Sequence, residues 1–416
     1  MHVPTSTSAG TGWTRSYEIK AVALLSLGFG LVGLDRFIIN PLFPVMSKDL
    51  GLNYQHLGLI SAVLALAWGL SSIFTGHLSD RVGRKRVLIP AVVIFSVLVA
   101  ASGLASGLAS LLMIRALMGL SEGAYVPASI VATQEASHPR RIGLNIGIQQ
   151  MAAPLVGLGF GPVVAVGLLK VLPNWHWVFG VVAVPGLLTA ALMYRILKND
   201  APLAHPSHLG SGSNPVSWKE LLRHRAVIVN TLCMFCWLTC LIVLTAFMPN
   251  YLTDHLKLSM DQMGMVLAGQ GLGSFVGMVA VPAISDRIGR KSVMVVALVI
   301  ELISLWLLTQ VGADPFQLFV ALFVSTFMVA GVVAITVGPL TSGAIPAHMA
   351  TGATGIVVGL GEVVGGAVAP AIAGGLAQQF GITIILNVVL YAIALGLVIV
   401  LIGVREPKGA LNTAIA

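Results

Sequence analysis

Six ionisable side chains stand where an apolar chain has least use for them. Asp35, Arg36, Arg115 and Glu122 fall inside long apolar stretches of the first half, and Glu301 and Glu362 inside stretches of the second. A charge at hydrocarbon depth costs several kcal/mol unless it is paired or hydrated, so each of these needs a function or a partner. A guanidinium presents a planar fork that fits a carboxylate. A carboxyl near the middle of a bilayer can pick up and release a proton. Arg115 and Glu122 are seven residues apart and share a helix face, which Tyr125, three residues beyond Glu122, also joins and from which it could hydrogen-bond to Glu122. Asp35 and Arg36 are adjacent, about 100° apart around a helix, so they cannot simply neutralise each other. One can look toward a ligand and the other toward a neighbouring helix. Asn145, Gln149 and Gln150 add polar groups that could hydrogen-bond a substrate or glue helices together. Structural readings stand beside these: Arg36 as half of a fixed ion pair, and Asp35 and Glu122 as static counter-ions of Arg36 and Arg115. For Arg115, packing and coupling roles are equally open. Glu301 is expected at the periphery and Glu362 at a helix interface.

The elements that must position these groups are membrane helices. Of 416 residues, 57% are apolar and 9% charged, against about 25% charged in an average soluble domain. Twelve apolar segments run approximately over residues 20–46, 56–78, 87–107, 110–133, 142–169, 176–197, 225–251, 262–284, 292–311, 315–342, 350–377 and 382–404. A rise of ~1.5 Å per residue puts Arg36 and Glu122 at nearly the same depth, ~15 and ~18 Å from the far ends of their helices. The net charge of +8 is an orientation signal and no sign of nucleic acid. Of 23 Lys and Arg, 18 lie in alternate loops and at the two ends, while Lys48, Lys170 and Lys257 lie opposite. That bias predicts cytoplasmic termini and a cytoplasmic central loop. Residues 1–17 show no cleavable signal peptide. Asn-x-Ser/Thr is absent, which favours a bacterial inner membrane. Cys233, Cys236 and Cys240 share one face of one helix and read as packing residues. Trp175 and Trp177 fit an interfacial belt. Neither a catalytic group nor a metal or cofactor site is expected, and no Gly-Lys dipeptide exists for a nucleotide-binding loop.

A short basic turn occurs twice. Gly76 to Arg86 reads GHLSDRVGRKR, and Ser285 to Lys291 reads SDRIGRK, with Asp80 and Asp286 lying 206 residues apart. So long a period in an apolar chain indicates two homologous halves. The expected domains are a six-helix bundle over 17–198, a cytoplasmic linker over 199–222 and a second bundle over 223–405. Trp218 to Arg225 should lie on the membrane surface. Gly157, Gly159, Gly161 and Pro162 interrupt span five, and Gly361, Gly365, Gly366, Pro370, Gly374 and Gly375 crowd span eleven.

The pattern Gly-x-x-x-Asp-Arg-x-Gly-Arg-Lys between spans two and three resembles the signature loop of the major facilitator superfamily, and the likeness extends over the whole chain. It implies an all-α fold of twelve transmembrane helices in two pseudo-symmetric bundles, working by alternating access around a cavity lined mainly by spans one, four, seven and ten. Gating would fall to Gly76, Asp80, Arg81, Gly83, Arg84 and Lys85, and to Asp286, Arg287 and Arg290 of the second copy. Asp80 would sit at the N-terminus of span eleven, where a helix dipole favours a negative group. Arg81, Arg84 and Lys85 would hold the bundles together on the cytoplasmic side.

GLDRFIINPLFP in span one and RALMGLSEGAYVP in span four resemble the organic anion:proton symporters of that superfamily, the anion:cation symporter group. That resemblance implies that Arg36 binds a substrate carboxylate, with Asn145, Gln149, Gln150 and Tyr125 as further candidates. It implies that Asp35 and Glu122 carry protons, with Arg115 beside them. Gly33 departs from the group, which usually has an aromatic residue there, and points to a substrate of different shape or size. The partners expected are a small organic anion, protons and the lipid bilayer, around a monomer. Proton-coupled efflux of drugs or metabolites is the competing reading, and Arg36 argues against it because a fixed cation repels cationic drugs.

Overall fold

The computed structural model of the chain describes residues 14–198 and 218–405, and among these all regular structure is helical. Eleven helices are long and apolar enough to cross a membrane. The twelfth, Leu108–Ala136, is equally long but diluted by Arg115, Glu122 and Glu135. In chain order span one is Arg15–Leu50, span two Tyr54–Val82, span three Arg84–Ser102 and span four Leu108–Ala136. Span five is Pro139–Val171 and span six Trp175–Ile196. In the second half span seven is Arg225–His255, span eight Met260–Ile288, span nine Arg290–Gln310 and span ten Pro315–Leu340. Span eleven covers 347–380 and span twelve Ile384–Gly403. Several helices run past the apolar limits of the sequence because polar residues continue them into the interface. The expected linker lies mostly outside the described residues. Of the expected surface helix only Trp218–Leu221 is helical. Its Leu221 is buried against span eleven near Gly352, which ends the helix against protein before span seven begins.

The two halves repeat each other in detail. Spans two and eight end at Gly83 and Gly289, with φ of 95° and 105°, a conformation that a side chain would strain. After each turn a lysine caps the C-terminal carbonyls of the last helix of its own half. Lys85 donates to Tyr194 O (2.7 Å) and Leu197 O (2.8 Å), and Lys291 donates to Leu401 O (2.8 Å). A cation there also meets the negative end of the helix dipole. Arg84 donates to Ser79 O and pairs with Glu135 at 3.1 Å in span four, while Arg290 donates to Pro339 O at 2.7 Å in span ten. These contacts stay within a half. Asp286 and Arg287 are exposed. Gly76 and the side chains of Asp80 and Arg81 lie outside what is described.

The bundles meet in the half of the molecule away from the termini. There Tyr54 OH donates to Asp254 Oδ2 (2.9 Å), Tyr54 N to Gln378 Oε1 (3.3 Å), and Lys170 pairs with Asp261 at 2.6 Å. Backbones touch at two crossings. Gly58 and Gly374 lie against the carbonyls of Pro370 and Tyr54 where spans two and eleven cross, and Gly271 lies against Gly159 where spans eight and five cross. Small residues permit such approach where lipid removes any hydrophobic drive between helices. Span two packs on span eleven from Glu362 onward, and span eight on span five from Pro154 onward. Among the described residues their terminus-side halves show no comparable packing, so these helices are closed together at the far end and parted toward the termini. Both span five and span eleven widen into π-helical turns, Pro154–Phe160 and Glu362–Val368, where the sequence concentrates glycine and proline. Trp175 does not face lipid as an interfacial belt residue would: it is buried and donates to Asp49 Oδ2 at 2.9 Å, because its indole N–H finds a carboxylate at the end of span one. Trp177 is exposed. The three cysteines are buried and free.

If the span five–eight crossing closes the far end, Gly271→Val should force it apart. Spin labels at positions 170 and 261 should then report a longer mean distance than in the parent protein, by pulsed electron paramagnetic resonance. An unchanged distance distribution would refute this role for the crossing.

Candidate functional site

Span one carries the centre of the site at its irregular turn. Its helix is interrupted at Ile38, between segments Arg15–Phe37 and Ile39–Leu50. Pro41 has no N–H for Phe37 O, four residues back, which interrupts the ladder while Ile38 keeps helical φ and ψ of −63° and −25°. Arg115 of span four reaches the turn just before. Its Nη1 donates to Asp35 O (3.1 Å) and Arg36 O (3.4 Å), and the whole side chain is buried. Arg115 Nε and Nη2 find no partner among the described residues. Arg36 lies fourteen residues from Leu50, and Glu122 fourteen from Leu108, at about 21 Å from the far ends of their helices. The equal depth inferred from the sequence is therefore met, and deeper than the shorter apolar limits suggest.

The four charged groups fall into two sets. Arg36 points toward the opposite bundle, where its Nη2 donates to Glu362 Oε2 at 3.0 Å. Its guanidinium lies over the rings of Phe37 (5.5 Å to centroid) and Trp68 (5.7 Å). It borders a small cavity whose other walls include Asn40, Ser61, Arg115, Ile242 and Ala246, from spans one, two, four and seven. Span ten contributes nothing to that lining. Asp35 and Glu122 lie within electrostatic reach of each other and of Arg115. Both are buried, and Asp35 Oδ1 and both carboxyl oxygens of Glu122 have no hydrogen-bond partner among the described residues. Buried polar atoms are normally satisfied, so these carboxyl oxygens single out Asp35 and Glu122 as candidates for a chemical role.

The neutral polar candidates are engaged elsewhere. Tyr125 OH does not reach Glu122; it donates to Leu25 O at 2.9 Å, beneath Gly28, because span one presents a carbonyl closer at hand. Asn145 donates to Glu18 Oε1 and Ser137 Oγ, both at 2.8 Å, in a network near the termini that also holds Arg141. Gln149 donates to Ser129 Oγ at 2.7 Å, leaving its Oε1 free of partners among the described residues. Gln150 is half-buried. Glu301, expected at the periphery, is instead fully buried within the second bundle, accepting from Ser325 Oγ (2.8 Å) and Cys240 Sγ (3.4 Å). Span nine turns that face inward toward spans seven and ten.

The sequence profile of the Major Facilitator Superfamily matches residues 25–251 and 231–415. The chain belongs to the major facilitator superfamily. It is a multi-pass membrane transporter and not an enzyme. It is 26% identical to a hexuronate transporter of Bacillus subtilis (strain 168) over 66% of each chain. It is also 26% identical to the sialic acid transporter NanX of Escherichia coli (strain K12), over 98% of this chain and 99% of that one. Among solved structures the nucleoside transporter NupG superposes with a TM-score of 0.75 at 12% identity, covering 92% of this chain and 98% of the other. A bacterial homologue of the human lysosomal transporter Spinster, inward-facing and unoccupied, superposes at 0.72 with 14% identity, covering 94% and 96%.

Within this superfamily member, Gly33 has a structural explanation. A Cβ at Gly33 would run into the backbone of Ala153, and Gly157, one turn further along span five, also lies against Gly33. An aromatic side chain has no room where span one crosses the wide turn of span five. Trp68 is the site residue that sequence reasoning missed. Its ring lies 5.7 Å from the Arg36 guanidinium, and its Nε1–H is buried without a partner among the described residues. A single Trp in an apolar helix carries no signal that separates a site from packing.

The Gly33 contact predicts that Gly33→Ala lowers the apparent melting temperature in detergent, since overpacking of this kind costs about 1–3 kcal/mol. Gly33→Tyr should leave little folded protein on gel filtration. Gly167→Ala, where the structure has open space, is the control and should melt like the parent. Equal melting of all three proteins would show that the crossing yields.

Proposed function

We propose that the chain imports an organic carboxylate anion together with protons, by alternating access of two six-helix bundles bounded near residues 17–198 and 223–405. The observation that carries this reading is the Arg36 guanidinium, at mid-depth between the bundles, bordering a cavity and flanked by two aromatic rings. A guanidinium binds a carboxylate through two parallel hydrogen bonds, and a lysine ammonium cannot reproduce that geometry. The proteins the chain resembles include, by name, a hexuronate transporter and a probable L-galactonate transporter, whose substrates carry such a group. With the termini in the cytoplasm, the orientation the charge bias favours, the parted end faces the cell interior and the described conformation is inward-facing.

The proton falls to the pair Asp35 and Glu122. Arg115 lies within electrostatic reach of both carboxyls, and Arg36 within reach of Glu122 as well, so a change of charge at Arg36 is felt first at Glu122. An anion arriving at Arg36 adds a negative charge near Glu122 beyond that of Glu362, and makes protonation of Glu122 easier. Anion and proton then favour each other's binding reciprocally, which is the condition for symport. Transport should accordingly rise as the pH falls on the side from which substrate enters.

Two measurements test the roles. In a thermal-shift screen of aliphatic, aromatic and sugar-acid carboxylates, the parent should respond to at least one class. Arg36→Lys should weaken that response about tenfold or more, and Arg36→Ala should abolish it. Normal binding by Arg36→Ala would refute the anchor. In liposomes Glu122→Gln, which mimics the protonated acid, should keep counterflow exchange but lose accumulation driven by a pH gradient. Should Glu122→Gln and Asp35→Asn both still concentrate substrate on that gradient, the proton coupling proposed here is wrong.

A further inference from the structure

The carboxylate that Arg36 holds in this structure belongs to the protein. Glu362 comes from span eleven of the opposite bundle and meets Arg36 through one hydrogen bond, Nη2 to Oε2 at 3.0 Å, with both side chains slightly exposed. We propose that Glu362 is a tethered stand-in for the substrate: it occupies the anion site when the carrier is empty, and the substrate's carboxylate displaces it. This rests on the anion reading above and adds to it a residue that competes with substrate.

Three features of the site fit displacement better than a permanent strut. First, Glu362 opens the π-helical turn Glu362–Val368, a segment whose backbone is already wider than an α-helix. Gly366, one turn on, leaves the space that the carboxylate fills; a Cβ there would stand 2.5 Å from Glu362 Oε2. Any side chain at 366 would crowd the glutamate. Second, Glu362 uses only part of the site. A single contact leaves the fork of Arg36 incompletely used. A free carboxylate can take two guanidinium N–H groups, and so binds the fork more fully than a tethered one that reaches a single donor. Third, Arg36 keeps a partner throughout: Glu362 in the empty carrier and substrate in the loaded one, while the displaced Glu362 carboxylate takes up a proton or water.

The exchange also has a mechanical side. The Arg36–Glu362 pair joins span one to span eleven, so a substrate that takes Arg36 unties one link between the bundles. Binding and release of the link are then the same event, and the ligand biases the conformation through its differential affinity for the two states.

A tethered competitor raises the ligand concentration needed for half-saturation, by a factor set by its effective concentration at the site. The test uses acetate, which presents a carboxylate and little else, and D-glucuronate as a larger probe, titrated into the purified full-length protein by calorimetry or thermal shift. Glu362→Gln keeps the side-chain shape and removes the competing charge. It should lower the half-saturating acetate concentration about tenfold or more relative to the parent. The double variant Arg36→Gln, Glu362→Gln should not respond. Glu362→Asp, which keeps the charge but shortens the reach, should fall between parent and Glu362→Gln, and serves if the latter does not fold. A structural ion pair predicts the reverse: lower stability and no gain in anion response. Binding to the parent with no tightening in Glu362→Gln or Glu362→Asp overturns this proposal and leaves the anion site standing. No response to either probe in any of the proteins overturns the anion site, and this proposal with it.

Discussion

A guanidinium placed fourteen residues inside a membrane helix must be compensated at every moment of its working life. Much of the structure follows from that constraint on Arg36. The span that carries it breaks at Ile38, the carbonyls just before the break are met by Arg115, and Arg115 brings with it the carboxyl of Glu122. Two rings, Phe37 and Trp68, supply faces that favour a cation, and the opposite bundle supplies Glu362. The site therefore holds three carboxyls, Asp35, Glu122 and Glu362, against two guanidinium groups. On the function proposed above, an anion bound at Arg36 adds to that surplus of acid, and coupling between anion and proton would arise from this one imbalance.

The second constraint is that the two bundles must hold together at one end without being fixed there. Glycine crossings serve this purpose: backbone meets backbone at Gly271 and Gly159, and at Gly58 and Gly374 with their facing carbonyls. Such contacts are close and wide in reach but contain few interlocked side chains, so they can separate as surfaces. The polar links at the same end are modest. Lys170 and Asp261 are both well exposed, and an exposed pair of this kind contributes about 0–1 kcal/mol. The Tyr54–Asp254 bond is better sheltered and ties span two to span seven. At the other end the repeated basic turns keep each bundle coherent in itself, through Lys85 and Lys291 on the last helix of each half. A bundle that moves as a rigid body needs such internal ties.

What was legible in the sequence depended on how local its cause was. The twelve spans, the duplicated turn and the two halves follow from the length of apolar runs and from a motif repeated at a distance of 206 residues. Bilayer thickness and backbone hydrogen bonding dictate these features, whatever the helices later pack against. The equal depth of Arg36 and Glu122 was readable for the same reason, since helical rise is fixed. The positive φ at Gly83 and Gly289 belongs with these, because the turn itself demands it.

Partnerships were decided only by the tertiary structure. The sequence showed that Glu362 was an anomalous charge, but not that it would meet Arg36, 326 residues away and in the other bundle. It showed Tyr125 on the face of Glu122, yet the hydroxyl goes to Leu25 O, because helix rotation and crossing angle place that carbonyl nearer. Glu301 turned inward and Trp175 turned away from lipid for the same reason: a helix has one face per neighbour, and the sequence does not say which neighbour. Gly33 is the clearest case. As a letter it was a departure from a pattern; in space it is where span one touches the wide turn of span five, and no side chain fits. Depth, span and repeat come from the chain's own geometry, while pairing and facing come from how twelve rods are set against one another.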